Sequence, residues 1–237
     1  MQEPIIDHDR RHLDGSNHHP LPPLDVALVT ETYPPEINGV AMTLANLVGG
    51  LRTRGWRVQV VRPRQSCDNG SCDENEWLRP SLPIPNYAGL RLGLPSGFSL
   101  HGRWRRKRPD LVHVVTEGPL GLSALRSARR LGIPVSSGFH TNFHDYTRHY
   151  GVSWMHGALE RYLKAFHNRT RCTLVPAEDV ITQLAKRGFR NLMLLGRGVD
   201  AGLFSPELRS QELRASWGAA PDTLVALHVG RVAPEKN

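Results

Sequence analysis

Glycine, arginine and lysine lie close together in the last nine residues of the chain, in a pattern that can bind phosphate. The segment reads Val229-Gly230-Arg231-Val232-Ala233-Pro234-Glu235-Lys236-Asn237, which predicts the end of a buried strand, a tight turn and a basic loop. Such loops bind phosphate through the start of a following helix and through charge-assisted hydrogen bonds from basic side chains. We therefore predict that Arg231 and Lys236 bind a phosphorylated ligand, with an ordinary solvated turn as the alternative. The following helix is expected beyond residue 237.

Two further residues, Gly39 and His140, follow strands at places where α/β sheets bind ligands. In an open α/β sheet, ligands lie at the carboxyl ends of the strands, and a helix that begins there attracts phosphate. Gly39 begins a predicted helix and would let the backbone come close to a ligand, although a glycine at a helix start needs no ligand. His140 is the first polar side chain after a predicted strand, whereas His144 and His149 are expected to be solvated.

Glu117 lies in a third segment of this kind, residues 116–121, which ends a strand and begins a helix. Its carboxylate could accept a hydrogen bond from a substrate hydroxyl group, or it could complement the positive end of the helix dipole. The residues alone leave both interpretations open. The dinucleotide fingerprint of three spaced glycines is absent from the first strand–helix loop, which argues against a nicotinamide or flavin enzyme.

These candidate residues need alternating strands and helices to position them, and the first part of the chain supplies them. Residues 24–30 are a short apolar run, typical of a strand buried on both faces. Residues 56–61 are a second predicted strand, preceded by Gly55, where a left-handed helix cap would be needed. Between the two strands, apolar side chains recur at helical spacing at Val40, Leu44, Leu47, Val48 and Leu51. A strand–helix–strand unit implies a parallel sheet with a right-handed crossover.

The same alternation continues through most of the chain, so we predict an α/β fold with a Rossmann-like parallel sheet flanked by helices. Residues 63–98, rich in proline and glycine, are predicted to be loops and short strands. Further strands are predicted at 110–115, 133–137, 172–175 and 192–195, and further helices at 118–131, 152–168 and 178–187.

Three regions are predicted along the chain. Residues 1–23 are polar and would be a disordered tail, and residues 24–200 would form one domain. Residues 201–237 would be a crossover and the truncated start of a second Rossmann-like domain. That start would contain a helix at 206–217 and a strand at 223–229.

The composition is that of a soluble globular protein, since 39% of the 237 residues are hydrophobic and 22% are charged. No apolar run approaches the roughly 20 residues of a membrane span. The net charge of +8 favours anionic partners such as nucleotides, sugar phosphates, acidic lipids or nucleic acid, without choosing among them. Cys67, Cys72 and Cys172 are too few and too unevenly spaced for a disulfide framework or a metal site, which suits a reducing cytosol.

Taken together, these segments resemble the retaining glycosyltransferases of family 4, in particular bacterial mannosyltransferases and related hexosyltransferases. The resemblance is collinear and covers residues 25–237. The segments that carry it are Val29-Thr30-Glu31-Thr32-Tyr33-Pro34-Pro35, Asn38-Gly39-Val40, Thr116-Glu117-Gly118-Pro119-Leu120-Gly121, Phe139-His140-Thr141-Asn142-Phe143, Val175-Pro176, Gly198-Val199-Asp200, Phe204-Ser205-Pro206 and Gly230-Arg231-Val232-Ala233-Pro234-Glu235-Lys236-Asn237. It implies the two-domain GT-B architecture, with residues 24–200 as the N-terminal domain. It also implies a nucleotide-diphosphate-sugar donor and retention of configuration, with no metal or other cofactor.

The resemblance also implies roles for individual residues on the donor side. It places Gly39 beside the donor diphosphate and His140, as the catalytic candidate, beside the donor sugar. Arg231 and Lys236 would bind the diphosphate and stabilise the leaving group as negative charge develops on it. The family's pair of C-domain glutamates, one at the donor sugar and one at the nucleotide ribose, is expected beyond residue 237.

The activity implied is that of a hexosyltransferase that moves mannose from GDP-mannose to a lipid or glycan acceptor. Glu117 and Asn142 are the candidate residues on the acceptor side. The 237-residue chain is expected to be inactive alone. The alternative is a non-catalytic fragment that binds an acceptor or a membrane surface. A sugar-nucleotide epimerase of the same architecture is disfavoured by the crossover motif at residues 198–206.

Two basic runs, at residues 103–108 and 161–171, could contact acidic phospholipids, since several members of the family use lipid-linked acceptors. Trp104 among the arginines of the first run would suit a membrane interface, and a solvated basic face is the alternative. The sequence contains no recognisable signature of a nucleic-acid-binding module, so nucleic acid is not expected as a partner. The expected location is the cytoplasm, including peripheral binding at the inner face of the membrane.

Overall fold

The structure is a computed structural model that describes residues 22–36, 38–66, 68, 73–84, 91–140, 156–196 and 198–228. Its strands are β1 (Asp25–Val29), β2 (Arg57–Pro63), β3 (Glu76–Arg79), β4 (Ser81–Pro83), β5 (Arg91–Gly93), β6 (Leu111–Val114), β7 (Val135–Gly138), β8 (Cys172–Val175) and β9 (Leu192–Leu194). Its helices are α1 (Gly39–Thr53), α2 (Gly97–Arg106), α3 (Pro119–Arg130), α4 (His156–His167), α5 (Glu178–Lys186) and α6 (Gln211–Ser216), with a 3₁₀ turn at Pro206–Leu208. The alternation confirms the predicted α/β class.

Seven strands form one parallel sheet in the order β3-β2-β1-β6-β7-β8-β9, and β4 and β5 form a separate antiparallel pair. Side chains of β1 alternate between the two faces of the sheet. Ala27 and Val29 belong to the core cluster that includes residues of α2 and α3, whereas Val26 and Leu28 belong to the cluster that includes residues of α1. Burial on both faces explains why β1 is a continuous apolar run. The short strands β3, β4 and β5 fall in residues 63–98, as predicted.

Helix α1 begins at the carboxyl edge of the sheet, where Asn38 caps it. The Asn38 Oδ1 atom accepts hydrogen bonds from the backbone N–H groups of the second and third helix residues at 3.1 and 2.9 Å. Leu44 and Val48, four residues apart, are buried against the sheet. Gly55 follows the helix with a φ of 83°, a left-handed conformation that glycine adopts at little cost. The predicted helix and its predicted end are both present.

Helix α2 is missing from the sequence predictions, which treat its second half only as a basic run. Leu100 and Trp104 lie four residues apart on one face and enter the core, with 0% and 1% of their surfaces exposed. The interpretation of Trp104 as a membrane-interface residue is therefore wrong. The exposed residues of the helix are instead basic, at Arg105 and Arg106, together with a fully exposed Phe98.

The segment after β9 differs from its prediction. The predicted helix at 206–217 is divided into the 3₁₀ turn and α6, and residues 223–228 contain no strand. A strand needs a neighbour that pairs with its N–H and C=O groups, and in the described part of the chain this segment has no strand beside it. Leu224 and Leu227 accordingly expose 95% and 69% of their surfaces. The domain bounds stay predictions, and only residues 22 and 23 of the predicted tail are described.

Candidate active site

A cavity of about 380 Å³ opens at the carboxyl edge of the sheet, where the sequence predicts ligand binding. It lies between α1 and the ends of β6, β7, β8 and β9. Its lining residues are Thr43, Leu44, Asn46, Leu47, His113, His140, Pro176, Leu195, Gly196, Gly198, Val199 and Asp200. The predicted crossover segment thus forms one wall, opposite the first helix.

His140 lines this cavity, in agreement with its position just after β7. Its ring lies beside Gly138. A methyl group added to that glycine would overlap the His140 ring and would lie 3.6 Å from Nε2 of His113. A glycine at position 138 therefore leaves the space that the His140 ring occupies. The catalytic role assigned to His140 stays a prediction.

His113 is a second histidine in the cavity wall, and sequence reasoning gave it no role. Its Nδ1 atom lies 2.9 Å from Oγ of Ser136 on the neighbouring strand. Burial, assisted by the charge of His140, lowers the pKa of His113 to about 4. The imidazole is therefore neutral at physiological pH, because its surroundings disfavour the charged form. A histidine within the apolar run of β6 was the only signal that the sequence offered.

Gly39 is the first residue of α1, one turn before Thr43 in the cavity wall. A Cβ atom at position 39 would meet no atom within 4 Å, so the fold itself does not require a glycine there. The first turn of α1 carries no acidic side chain, so the positive end of its dipole can still attract phosphate, although Asn38 already accepts hydrogen bonds from two of its N–H groups. Diphosphate binding beside Gly39 stays a prediction.

The loop that leads from β1 into α1 is held by a network of polar side chains. Thr32 Oγ1 donates a hydrogen bond to Glu36 Oε2, and Asn38 Nδ2 donates to Thr32 Oγ1 at 2.7 Å. Gln65 Nε2 donates to Glu36 Oε1 at 2.9 Å. Burial raises the pKa of Glu36, although its hydrogen bonds act in the opposite direction. The network fixes the direction in which α1 begins and hence the place of its first turn.

Glu31 is a partly buried carboxylate that sequence reasoning missed. It accepts hydrogen bonds from the backbone N–H groups of Gly93 and, at 3.1 Å, Leu120, so it occupies the start of α3. A Cβ atom on Gly118 would overlap the carboxylate, which explains the glycine at that position. Burial is the largest influence on Glu31 and raises its pKa to about 7. Its partners lie 62 and 89 residues away in the sequence, so no local pattern identifies it.

Glu117 is engaged inside the protein and does not line the cavity. One of its carboxylate oxygens lies 2.9 Å from Nε2 of His167, and only 7% of its surface is exposed. The other ring nitrogen of His167 lies 2.9 Å from Oγ of Ser137. At the start of α3 the backbone N–H group of Leu120 donates its hydrogen bond to Glu31 instead, so Glu31 holds the place that the dipole interpretation gave to Glu117. The acceptor-side role of Glu117 stays a prediction.

Several predicted residues lie outside the described part of the chain. They are Asn142, Arg231 and Lys236, together with His144 and His149, and their assignments stay predictions. Among the residues that the structure describes, no group of three His, Cys, Asp or Glu side chains could hold a metal ion. Within the same residues, no helix has the length and apolar character needed to cross a bilayer.

Comparison with known proteins places the cavity within a family. The sequence profile of Glycosyltransferase Family 4 matches residues 37–203, a range that contains every residue lining the cavity. The chain is 31% identical over 217 residues to a GDP-mannose-dependent alpha-mannosyltransferase of Mycolicibacterium smegmatis, which covers 90% of this chain and 57% of that protein. The Mycobacterium tuberculosis protein of the same name is 30% identical, with the same coverage.

A further relative is the alpha-monoglucosyldiacylglycerol synthase of Acholeplasma laidlawii, which is 26% identical over 226 residues, or 90% of this chain and 56% of that protein. The chain therefore spans little more than half the length of the curated relatives that it matches.

Two solved structures support the fold. Sucrose-phosphate synthase from Thermosynechococcus elongatus superposes with a TM-score of 0.58 at 14% identity, over 83% of this chain and 53% of that one. A glycosyltransferase from Rickettsia africae ESF-5 superposes with a TM-score of 0.54 at 10% identity, over 84% and 51% of the two chains. These similarities confirm the predicted Rossmann-like parallel sheet of a GT-B N-terminal domain.

Proposed function

Because this chain belongs to Glycosyltransferase Family 4, we propose that it is the acceptor-side part of a hexosyltransferase. The reaction would move mannose from GDP-mannose to a lipid or glycan acceptor, with retention of configuration at the sugar. The observation that carries the proposal is the cavity at the carboxyl edge of the sheet, all of whose lining residues fall within the family match. Similarity to two GDP-mannose-dependent enzymes over 90% of the chain supports the choice of donor.

In this proposal, the donor diphosphate lies at the start of α1 and the donor sugar extends toward His140. The bond from the anomeric carbon to the diphosphate breaks while a bond to the acceptor oxygen forms on the same face of the sugar, and the acceptor hydroxyl proton passes to the departing diphosphate, on which negative charge develops. Positive groups near that charge lower the barrier, and Gly39 at the helix start, Arg231 and Lys236 are the candidates. A neutral His113 adds no charge to the opposite wall of the cavity.

The acceptor is proposed to be membrane-bound, with the protein held peripherally at the cytoplasmic face. Exposed Arg105, Arg106 and Lys107 lie at the end of α2, near the amino edge of the sheet and away from the cavity, and could contact acidic headgroups with about 1 kcal/mol for each residue near the surface. The fully exposed ring of Phe98 begins the same helix. The name of the Acholeplasma laidlawii relative, a diacylglycerol-linked synthase, supports a lipid acceptor.

The 237 residues alone are proposed not to turn over a nucleotide sugar. The support is that the relatives are considerably longer, since the chain covers only 57% of the first two. A GT-B cleft forms between two domains, so the part described here would present only one wall of it. The alternative function, a non-catalytic fragment that binds an acceptor or membrane, is favoured by the exposed basic end of α2.

The test uses purified protein that extends this chain to the length of its relatives. Labelled GDP-mannose and UDP-glucose are supplied with membrane lipids, and the product anomer is identified by NMR. We expect mannose transfer with retention, and a roughly ten- to hundredfold lower rate for His140→Ala, the loss of one charge-assisted or buried contact. His101→Ala, which changes a partly exposed histidine of α2 outside the cavity, is the matched control.

Three results would contradict the proposal in different parts. Transfer by the 237-residue chain alone would show that a second domain is not needed. Inverted product would remove the assignment of retention. A His140→Ala enzyme as active as the His101→Ala enzyme would show that the sugar does not react in this cavity.

A further inference from the structure

A second groove lies at the same edge of the sheet, beyond the ends of β2 and β3, and has a volume of about 610 Å³. Three arginine side chains line it: Arg64 follows β2, Arg79 ends β3 and Arg91 begins β5. We call this site the arginine groove. Neither the family roles nor the cavity described above assigns it a function.

No carboxylate lines the arginine groove in the part of the chain that the structure describes. Asp68, close to Arg64 in sequence, is bound instead by Arg62, whose two terminal nitrogens lie 2.9 and 2.8 Å from its carboxylate oxygens. The charge of Asp68 also acts on Arg64, and the Arg79 guanidinium lies 4.6 Å from the centre of the Trp77 ring, but among the described residues no negative group lines the groove itself.

Two of the three guanidinium groups are held in place by the protein. Arg91 donates from Nε to Oγ of Ser81 at 2.8 Å and from a terminal nitrogen to the Ser81 carbonyl at 3.2 Å. Arg79 donates from Nε to Oγ of Ser96 at 3.2 Å, and burial together with the charge of Arg103 lowers its pKa. Guanidinium groups stay protonated in proteins, so like charges remain in one groove. A bound anion would offset their repulsion.

The arginine groove is connected to the cavity through the loop that precedes α1. Gln65 lines the groove, and its amide holds Glu36 in that loop at 2.9 Å. In the sheet order, β2 is three strands away from β7, which precedes His140. Neighbouring strands lie about 4.8 Å apart, so the two sites are about 14 Å apart along the edge. One substrate of moderate size could reach both.

We propose that the arginine groove binds an anionic group, phosphate or carboxylate, of the acceptor headgroup while the accepting hydroxyl group lies in the cavity. This inference rests on the proposed function and specifies its acceptor. It would favour acceptors that carry a negative charge and disfavour neutral ones. The charge would lie about 14 Å from the reacting hydroxyl group. Planar guanidinium groups suit this task, because they bind the oxygens of phosphate or carboxylate in pairs.

The experiment measures binding of the 237-residue chain to two probes at physiological salt, which screens contacts of exposed surface charges. One probe is inorganic phosphate, measured by calorimetry. The other is a vesicle of phosphatidylcholine with added phosphatidic acid, measured by co-sedimentation against vesicles of phosphatidylcholine alone. The variants are Arg64→Gln and Arg91→Gln. The matched control is Arg130→Gln, which removes the same charge from the exposed end of α3.

We expect binding to the phosphatidic acid vesicles to weaken about tenfold in each groove variant and to stay unchanged in Arg130→Gln. Equal weakening in all three variants would overturn the proposal, since it would reflect only net surface charge. Binding of inorganic phosphate without any preference for the acidic vesicles would also overturn it. Arg64 is exposed and makes no described side-chain hydrogen bond, so Arg64→Gln remains informative even if Arg91→Gln fails to fold.

A separate measurement distinguishes this inference from the proposed function. In the longer protein, mannose transfer is measured to an acceptor with an anionic headgroup and to a neutral one. We expect Arg64→Gln to raise the KM for the anionic acceptor about tenfold and to leave the neutral acceptor unaffected. If Arg64→Gln leaves the KM for the anionic acceptor unchanged, the role of the groove is contradicted and the proposed reaction is not. Absence of any transfer, with vesicle binding still dependent on the groove arginines, overturns the proposed reaction alone.

Discussion

At the scale of single residues, the partly buried carboxyl group of Glu31 and the buried imidazole of His113 respond to pH in opposite directions. Burial raises the pKa of Glu31 from 4.5 to about 7 and lowers the pKa of His113 from 6.5 to about 4. In both residues the folded protein favours the neutral form. Their effects on the free energy of unfolding oppose each other between pH 4.5 and 6.5, so only single variants separate them.

We expect the free energy of unfolding of the natural protein to fall as the pH rises, and we expect this fall to be smaller in Glu31→Gln. The folded pKa of about 7 exceeds the ordinary value of 4.5, so the stabilisation is complete below pH 4.5 and is lost as the pH rises through 7. The difference corresponds to about 3 kcal/mol. Urea unfolding in mildly acidic and mildly alkaline buffer measures it. A variant with the same pH dependence as the natural protein would show that Glu31 is already ionised when folded.

The opposite result is expected for His113→Asn, whose amide can still contact Ser136. The folded pKa of about 4 lies below the ordinary 6.5, so the stabilisation is present above pH 6.5 and is lost as the pH falls through 4. The variant should lose less stability than the natural protein over this range. Urea unfolding at both ends of the range provides the measurement. If the variant and the natural protein lose the same stability between the two pH values, His113 is protonated inside the fold.

Two glycines allow the predicted site to be tested by adding one methyl group at a time. Gly138→Ala would displace the ring of His140, so in the longer protein we expect transfer to fall nearly as far as in His140→Ala.

Gly39→Ala adds its methyl group to open space and should leave the free energy of unfolding unchanged or slightly higher. If the donor diphosphate approaches Gly39, the same change should weaken donor binding, which calorimetry with GDP measures. Unchanged binding would remove Gly39 from the donor site.

At the scale of elements, α2 offers a matched pair of aromatic residues on one helix. Trp104 is 1% exposed and Phe98 is 100% exposed. We expect Trp104→Ala to lower the free energy of unfolding by about 3–5 kcal/mol, because it leaves a cavity in the core. Phe98→Ala should change it by less than about 0.5 kcal/mol. Urea unfolding tests both, and similar values for the two variants would contradict the placement of α2.

The elements that the sequence predicts well are those whose apolar residues are spaced without interruption. Helix α1 follows from residues such as Leu44 and Val48 and from the glycine at its end. Helix α2 escapes prediction because only Leu100 and Trp104 enter the core, among glycines and basic residues. The strand predicted at 223–229 is apolar, but a strand forms only beside another strand, and local sequence does not supply that neighbour.

The same division applies to the candidate site. His140 could be predicted because its position depends only on the strand immediately before it. Glu31 and the pairing of Glu117 with His167 could not, because these contacts join residues 50 to 89 positions apart. Such contacts depend on the order of strands in the sheet. A local pattern therefore finds the place where a ligand binds more readily than the buried groups that support it.

At the scale of the whole molecule, the apolar surface is distributed unevenly. The sheet from β1 to β8 is covered by helices, and most of its apolar side chains are buried. After β9, by contrast, no described residue is buried. Val199, Phe204 and Trp217 expose 75%, 69% and 50% of their surfaces. Burial of this surface would favour contact with a further folded unit, as the proposed second domain would provide.

We therefore expect amide hydrogen exchange to divide the 237-residue chain in two. Strands β1 and β6 each have a paired strand on both sides, so their backbone N–H groups should exchange only on global unfolding. Residues 223–228 belong to no strand or helix, and a segment with so little burial cannot offset about 1–2 kcal/mol of backbone entropy per residue, so they should exchange rapidly. Strong protection of Leu224 and Leu227 would contradict this. Protection that rises with protein concentration would identify a second copy of the chain as the cover, whereas concentration-independent protection would place the segment against its own sheet.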